Sequence, residues 1–170
     1  SENSNGNYHL NIQNQFIDKR SGRTSMSAIR TTIAGIKNIQ DYCKNNTLDS
    51  ELRSVVFMQK VPKSQGDIKL PPVHFKDFGF RVNYKEEKIL KPQFGIIKSL
   101  LDNWNNNKKI FRLLKRFTFV HNEFPIKVDC SIVRSSKRHG YRMIPEYRIE
   151  NSNVFNNPES YEIEIELDHA

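Results

Sequence analysis

Cysteine is scarce in this chain: Cys43 and Cys130 are the two copies in 170 residues, too far apart for a zinc-ligand spacing or a disulfide framework. We read both as reduced and structural. No apolar run approaches the roughly 18 residues of a membrane span, and no signal-peptide pattern opens the chain, so an intracellular protein without a membrane is expected. His9, His74, His121, His139 and His169 show no ligand spacing and read as surface or turn residues. Apolar residues are also few, 36% with a mean hydropathy of −0.69, so part of the interior should be polar. Acidic residues are outnumbered, 19 against 27 Lys and Arg. The resulting charge of +8 points to a polyanionic partner, nucleic acid or polyphosphate.

What the chain does have is an unusual final strand. In Tyr161-Glu162-Ile163-Glu164-Ile165-Glu166-Leu167, two-residue alternation sets Glu162, Glu164 and Glu166 on one face and the apolar residues on the other. Glu is depleted in strands, so three on one face need a reason. Carboxylates spaced roughly 6.5 to 7 Å along a strand repel unless water, cations or basic side chains neutralise them. A strand whose acidic face looks at solvent is the plain alternative.

The rest of residues 1–170 reads as one domain, long enough for a single core. Strands are expected at 8–17, 27–33, 52–61, 78–90, 110–120 and 126–133, with a short one around Tyr147. Residues 35–46 and 93–105 carry apolar residues at helical spacing, the second ending on Trp104, which reads as core. Pro62 to Pro72 reads as a loop that could order on a ligand. About eight strands and two helices with short connections make an α+β, mostly β, antiparallel domain.

Opposite the apolar residues the strands present Arg30, Lys60, Arg81 with Lys85, Arg116, and Lys127 with Asp129. In a sandwich these face water; in a closed barrel with helices packed outside they line the lumen, basic on most walls and acidic on one. Of Arg112, Lys115 and Arg116, only Arg116 is placed in that lumen, sharing its strand face with Thr118. Such an interior suits a metal-bound polyanion, a nucleoside or RNA triphosphate. Guanidinium groups bind phosphate oxygens while carboxylates hold Mg²⁺ or Mn²⁺. Hydrolysis would be attack of water on the terminal phosphoryl group, with Glu87 orienting the water.

A family resemblance joins these observations. The run 153–167, from Asn153-Val154-Phe155 into the glutamate strand, resembles the end of the triphosphatase domain in mRNA-capping enzymes of large DNA viruses. So do Phe124 to Ser136, Asp77 to Tyr84, Leu10 to Phe16, Gly22-Arg23-Thr24 and Ile29 to Ile33. These domains resemble triphosphate tunnel metalloenzymes. The resemblance implies a closed antiparallel eight-stranded tunnel barrel and removal of the γ-phosphate of 5′-triphosphate RNA in the first step of mRNA capping. It implies Glu162, Glu164 and Glu166 as metal ligands for Mg²⁺ or Mn²⁺, and Glu87, Arg116 and Asp129 as catalytic residues. Arg30, Lys60, Arg81, Lys85, Lys127 and Ser131 become substrate-binding residues, with Lys127, Asp129 and Ser131 matching a basic-x-acidic-x-hydroxyl strand that usually carries Arg first.

One departure stands out. The family opens on a Glu-x-Glu strand that shares the metal with the last strand, and here the first strand-like run offers Asn11, Gln13 and Gln15. Either the pair lies upstream of Ser1 in a longer capping polypeptide, which we expect, or it has been lost, leaving a catalytically inactive tunnel domain that binds RNA or triphosphate and scaffolds other capping domains. The partners so implied are 5′-triphosphate RNA and guanylyltransferase and methyltransferase domains. The place implied is the cytoplasm, in a viral factory or virion.

Overall fold

The computed structural model describes residues 7–167 except 19, 63, 66, 67 and 70, with 64, 65, 68 and 69 described in backbone only. In chain order the large sheet contains β1 (Asn7–Ile17), β2 (Thr24–Met26), β3 (Ile29–Ala34), β4 (Val55–Pro62), β5 (Lys85–Leu90), β6 (Lys109–Val120), β7 (Ile126–Ser135) and β8 (Ser160–Leu167). Helix α1 (Ile36–Asn45) follows β3 and α2 (Gly95–Asp102) follows β5. Seven strands run antiparallel in the order β8-β7-β6-β1-β3-β4-β5, and β2 pairs with the end of β1.

Each strand alternates. Leu10 and Ile12 of β1, Ile29 and Ile33 of β3, Phe57 of β4 and Phe111 of β6 share one face and pack with Ile39 and Tyr42 of α1 and Ile97 and Leu100 of α2. Trp104, Ile149 and Val154 complete this core, with Trp104 edge-on to Tyr42 at 6.3 Å between ring centres. The helices therefore sit outside the sheet and leave its other face to the charged residues.

The start of α1 is set by Gly35, whose φ of 89° suits a residue without Cβ and whose N–H donates to the Tyr8 carbonyl at 2.9 Å. Asn46 ends the helix in the left-handed region, φ 56°, a conformation asparagine tolerates. Its buried side chain accepts from the Ile149 N–H at 2.7 Å and donates to Glu150 at 3.0 Å, while its carbonyl accepts from Trp104 Nε1 at 3.2 Å. One residue thus ties α1 to the segment that leads into β8.

The sheet is a curled half-barrel, and among the described residues β8 and β5 are its edges, without pairing to each other. Closure into an eight-stranded barrel is not shown among the described residues. The strand expected over 78–90 divides: Lys76–Phe78 is a 3₁₀ turn, Gly79 follows at φ 67°, and Phe80–Val82 pairs with Val73–Phe75 as a separate hairpin. Stacking of Phe75 on Phe80, 4.7 Å between ring centres, accompanies that local pairing. Around Tyr147 there is a single bridge, Lys109 with Glu146, in place of the expected short strand. The expected loop 62–72 lies largely outside the described side chains. Among the described residues no helix is long and apolar enough to cross a membrane.

Candidate functional site

The charged face is concave, and its electrostatics show the curl. In a flat sheet the five strand spacings from β4 to β8 would separate them by about 24 Å. Yet Lys60 of β4 still helps hold the Glu166 carboxyl of β8 below its usual range, and Glu164 acts on Arg30 of β3. Register explains which side chains meet. Glu162, Glu164 and Glu166 stand opposite Ser131, Asp129 and Lys127 of β7, and Arg116 and Thr118 of β6 stand opposite Ser131 and Asp129 on its other side.

Each carboxylate on this face is met by a base. Arg112 grips Glu162 with both oxygens, at 2.6 and 2.7 Å. Arg116 bridges Asp129 at 3.2 Å and Glu164 at 3.5 Å, and its Nε donates to Ser131 at 3.3 Å. Lys127 reaches Glu166 at 2.8 Å and Asp129 at 3.9 Å. That hydrogen bond raises the Lys127 pKa and lowers that of Glu166, each the first cause of the other's shift. Across the concavity Lys60 holds Glu87 at 2.9 Å, with Arg30 at 3.9 Å. Asp129 is 2% exposed and also accepts from Thr118 at 2.6 Å, so it lies beneath Arg116 and Lys127 as their common anchor.

Arg30 is the least satisfied of the bases. Its Nε is buried and has no hydrogen-bond partner among the described residues, and one terminal nitrogen meets the Met58 sulfur at 3.1 Å. Burial lowers its pKa first, with Arg116 and Arg112 acting in the same direction. His9 points into the same field and is pushed down by burial and by Arg116. Both groups mark a region where an added anion would be welcome.

The fold thus brings together Arg30, Lys60, Glu87, Arg116, Lys127, Asp129, Ser131 and the three glutamates. Lys85 continues the Glu87 face at the strand end, opposite Pro62. Arg81 is not on the large sheet: residues 80–82 find their partners in 73–75, with Arg81 opposite His74, and the strand is interrupted at residues 83–84 before β5 begins at Lys85. The sequence reading missed Arg112, which joins the concave face through Glu162, although it lies two pairs of residues before Arg116 on one strand. Strand period alone was enough to find it. It also set His9 at the surface, where the structure turns it inward.

A divalent cation was expected on Glu162, Glu164 and Glu166. Their oxygens are of the hard type that Mg²⁺ or Mn²⁺ takes. Among the described residues, however, no group of three or more His, Cys, Asp or Glu stands together as a metal site. Each of the three glutamates is engaged by a different base, Arg112, Arg116 or Lys127, and β1 adds the neutral Asn11 and Gln13 to the face. The residues present do not fit a divalent cation as they are arranged.

No family model matches the chain, and no curated protein sequence does. Among solved structures it matches the monoclinic form of the Mimivirus capping enzyme triphosphatase, with a TM-score of 0.54 and 17% identity over 95% of this chain. The fold is that of a viral capping-enzyme triphosphatase. This chain spans 66% of that triphosphatase's length.

Proposed function

We propose that the concave face takes up the 5′-triphosphate end of an RNA, and that the domain serves mRNA capping. The observation that carries this reading is the set of bases on one curved face, Arg30, Lys60, Arg112, Arg116 and Lys127, aimed across a concavity on a fold shared with a capping-enzyme triphosphatase. Phosphate oxygens would compete with the carboxylates for these bases, and guanidinium groups favour phosphate by bidentate contact. Arg30, with its unpartnered buried Nε, is the first candidate for a phosphate contact. Asp129 keeps Arg116 and Lys127 aimed into the concavity. Ser131 and Lys85 add donors beside them.

A second reading is hydrolysis of the γ-phosphate. Glu87, fixed between Lys60 and Arg30 on the same face, favours it, since a carboxylate so placed can orient water for attack on the terminal phosphorus. The carboxylates of the last strand are engaged by bases, so this reading draws on Glu87 and the basic residues alone. Guanylyltransferase and methyltransferase domains, in the same polypeptide or beside it, would act on the 5′-diphosphate end that hydrolysis leaves.

Binding and phosphate release separate the readings. Tripolyphosphate and 5′-triphosphate RNA should both bind, and Lys60→Ala should weaken both roughly ten-fold, about 1.4 kcal/mol for a lost charged contact. Release of inorganic phosphate in Mg²⁺ or Mn²⁺ but not in EDTA would establish hydrolysis with a cation. Binding without release would leave a recognition domain. Equal affinity for 5′-triphosphate and 5′-hydroxyl RNA would end the proposal.

A further inference from the structure

The hairpin Val73–Phe75 with Phe80–Val82 is an exposed aromatic feature that the concave face does not use. Alternation gives it two faces. Val73, Phe75, Phe80 and Val82 share one, with Phe75 and Phe80 stacked at 4.7 Å and 20°. Phe78, 77% exposed at the turn, leans against Phe80 at 6.2 Å. His74 and Arg81 form the opposite pair, and Lys76 sits in the turn. A stacked aromatic face left open to water costs stability unless something covers it.

Position and charge say what covers it. The hairpin leads through two residues into β5, so Val82 lies within about 10 Å of Lys85 along the chain. Lys85 stands two places from Glu87, the partner of Lys60. The aromatic face therefore rises from the rim of the concave face at its β4–β5 end. Flat π-faces interleaved with bases are how proteins hold single-stranded nucleic acid: bases stack while cations follow the phosphates. A protein partner seated there would meet Lys76 and Lys85 at its margin without an equivalent use for them.

We infer that this hairpin is the seat of the RNA chain behind the triphosphate, its bases stacking on Phe75, Phe78 and Phe80 while Lys76 in the turn and Lys85 at the rim contact the phosphate backbone. The inference rests on the concave face being the triphosphate site. It makes RNA, rather than free nucleotide or polyphosphate, the substrate class that gains affinity from this fold.

The test uses the full polypeptide and three probes: tripolyphosphate, a 5′-triphosphate RNA decamer, and the same decamer with a 5′-hydroxyl. Phe80→Ala should weaken both RNAs about ten-fold and leave tripolyphosphate unchanged. Phe78→Ala, at an exposed turn position where folding does not depend on the ring, should do the same to a smaller degree. Unchanged affinity of both RNAs in both variants would overturn the inference, as would equal weakening of all three probes. The concave-face reading fails by a different result, wild-type protein binding the two decamers equally; a loss of both RNAs on Phe80→Ala would then still support the hairpin.

Discussion

Lys109 shows how a single residue's surroundings set its chemistry. Its side chain is buried, donates to the Asn107 carbonyl at 2.7 Å and the Tyr147 carbonyl at 3.3 Å, and its Nζ lies 5.4 Å from the Trp104 ring centre. Burial pushes its pKa down to about 8 from 10.5. A lysine with a lowered folded pKa carries fewer protons folded than unfolded, so stability rises with pH between these two values. Burial also raises the Tyr42 phenol, which lets the unfolded state gain by ionising above pH 10. Burial raises the Cys43 thiol from 9.0 as well, which opposes the rise inside the same range. The Lys109 contribution between pH 8 and 10, about 2 kcal/mol, is therefore read as the difference between the wild-type and Lys109→Met profiles. Urea titrations across that range measure both. An unchanged slope in the Lys109→Met chain would assign the rise to another group.

At the scale of elements, Asn46 does more than end a helix. Alanine there would have to enter the left-handed region and would leave the Ile149 N–H without its acceptor. Together these cost on the order of 3 kcal/mol. Asn46→Gly keeps the backbone conformation and loses only the side-chain bonds, so it should be the milder change by about 1 kcal/mol. Chemical denaturation of the two variants checks the order, and a reversal would mean that the left-handed backbone at residue 46 costs alanine nothing. The strands themselves were legible in sequence wherever alternation was clean: β1, β6, β7 and β8 lie within a few residues of expectation. Where a turn glycine and a stacking pair intervened, at Gly79 and Phe75 with Phe80, alternation ran on in the sequence while the chain left the sheet.

For the whole molecule, the charge of +8 and the concave bases make one joint prediction. Affinity for 5′-triphosphate RNA should fall with salt more steeply than affinity for 5′-hydroxyl RNA. Each phosphate contact on a single strand adds about −0.7 to the log–log slope, so two or three γ-, β- and α-phosphate contacts should steepen it by roughly 2. Titrations between 50 and 300 mM salt, on the order of the range where counterion release dominates, would measure it. Parallel slopes for the two RNAs would mean that the bases stay with their carboxylates when RNA binds.

Sequence by itself determined the alternation of charged and apolar residues, the helices that cover one side, and the row Glu162, Glu164, Glu166, because strand and helix periods are local properties. It carried enough of the pattern to show a likeness to capping triphosphatases, and the solved fold agrees. Only the tertiary structure decided what neutralises those glutamates. Register sets Asp129 and Lys127 opposite them, and the adjoining strand brings Arg112 and Arg116 within reach. Curl brings Lys60 and Arg30 across from strands that a flat sheet would keep far away. Pairing between residues dozens of positions apart depends on the path of the whole chain, which no local period contains.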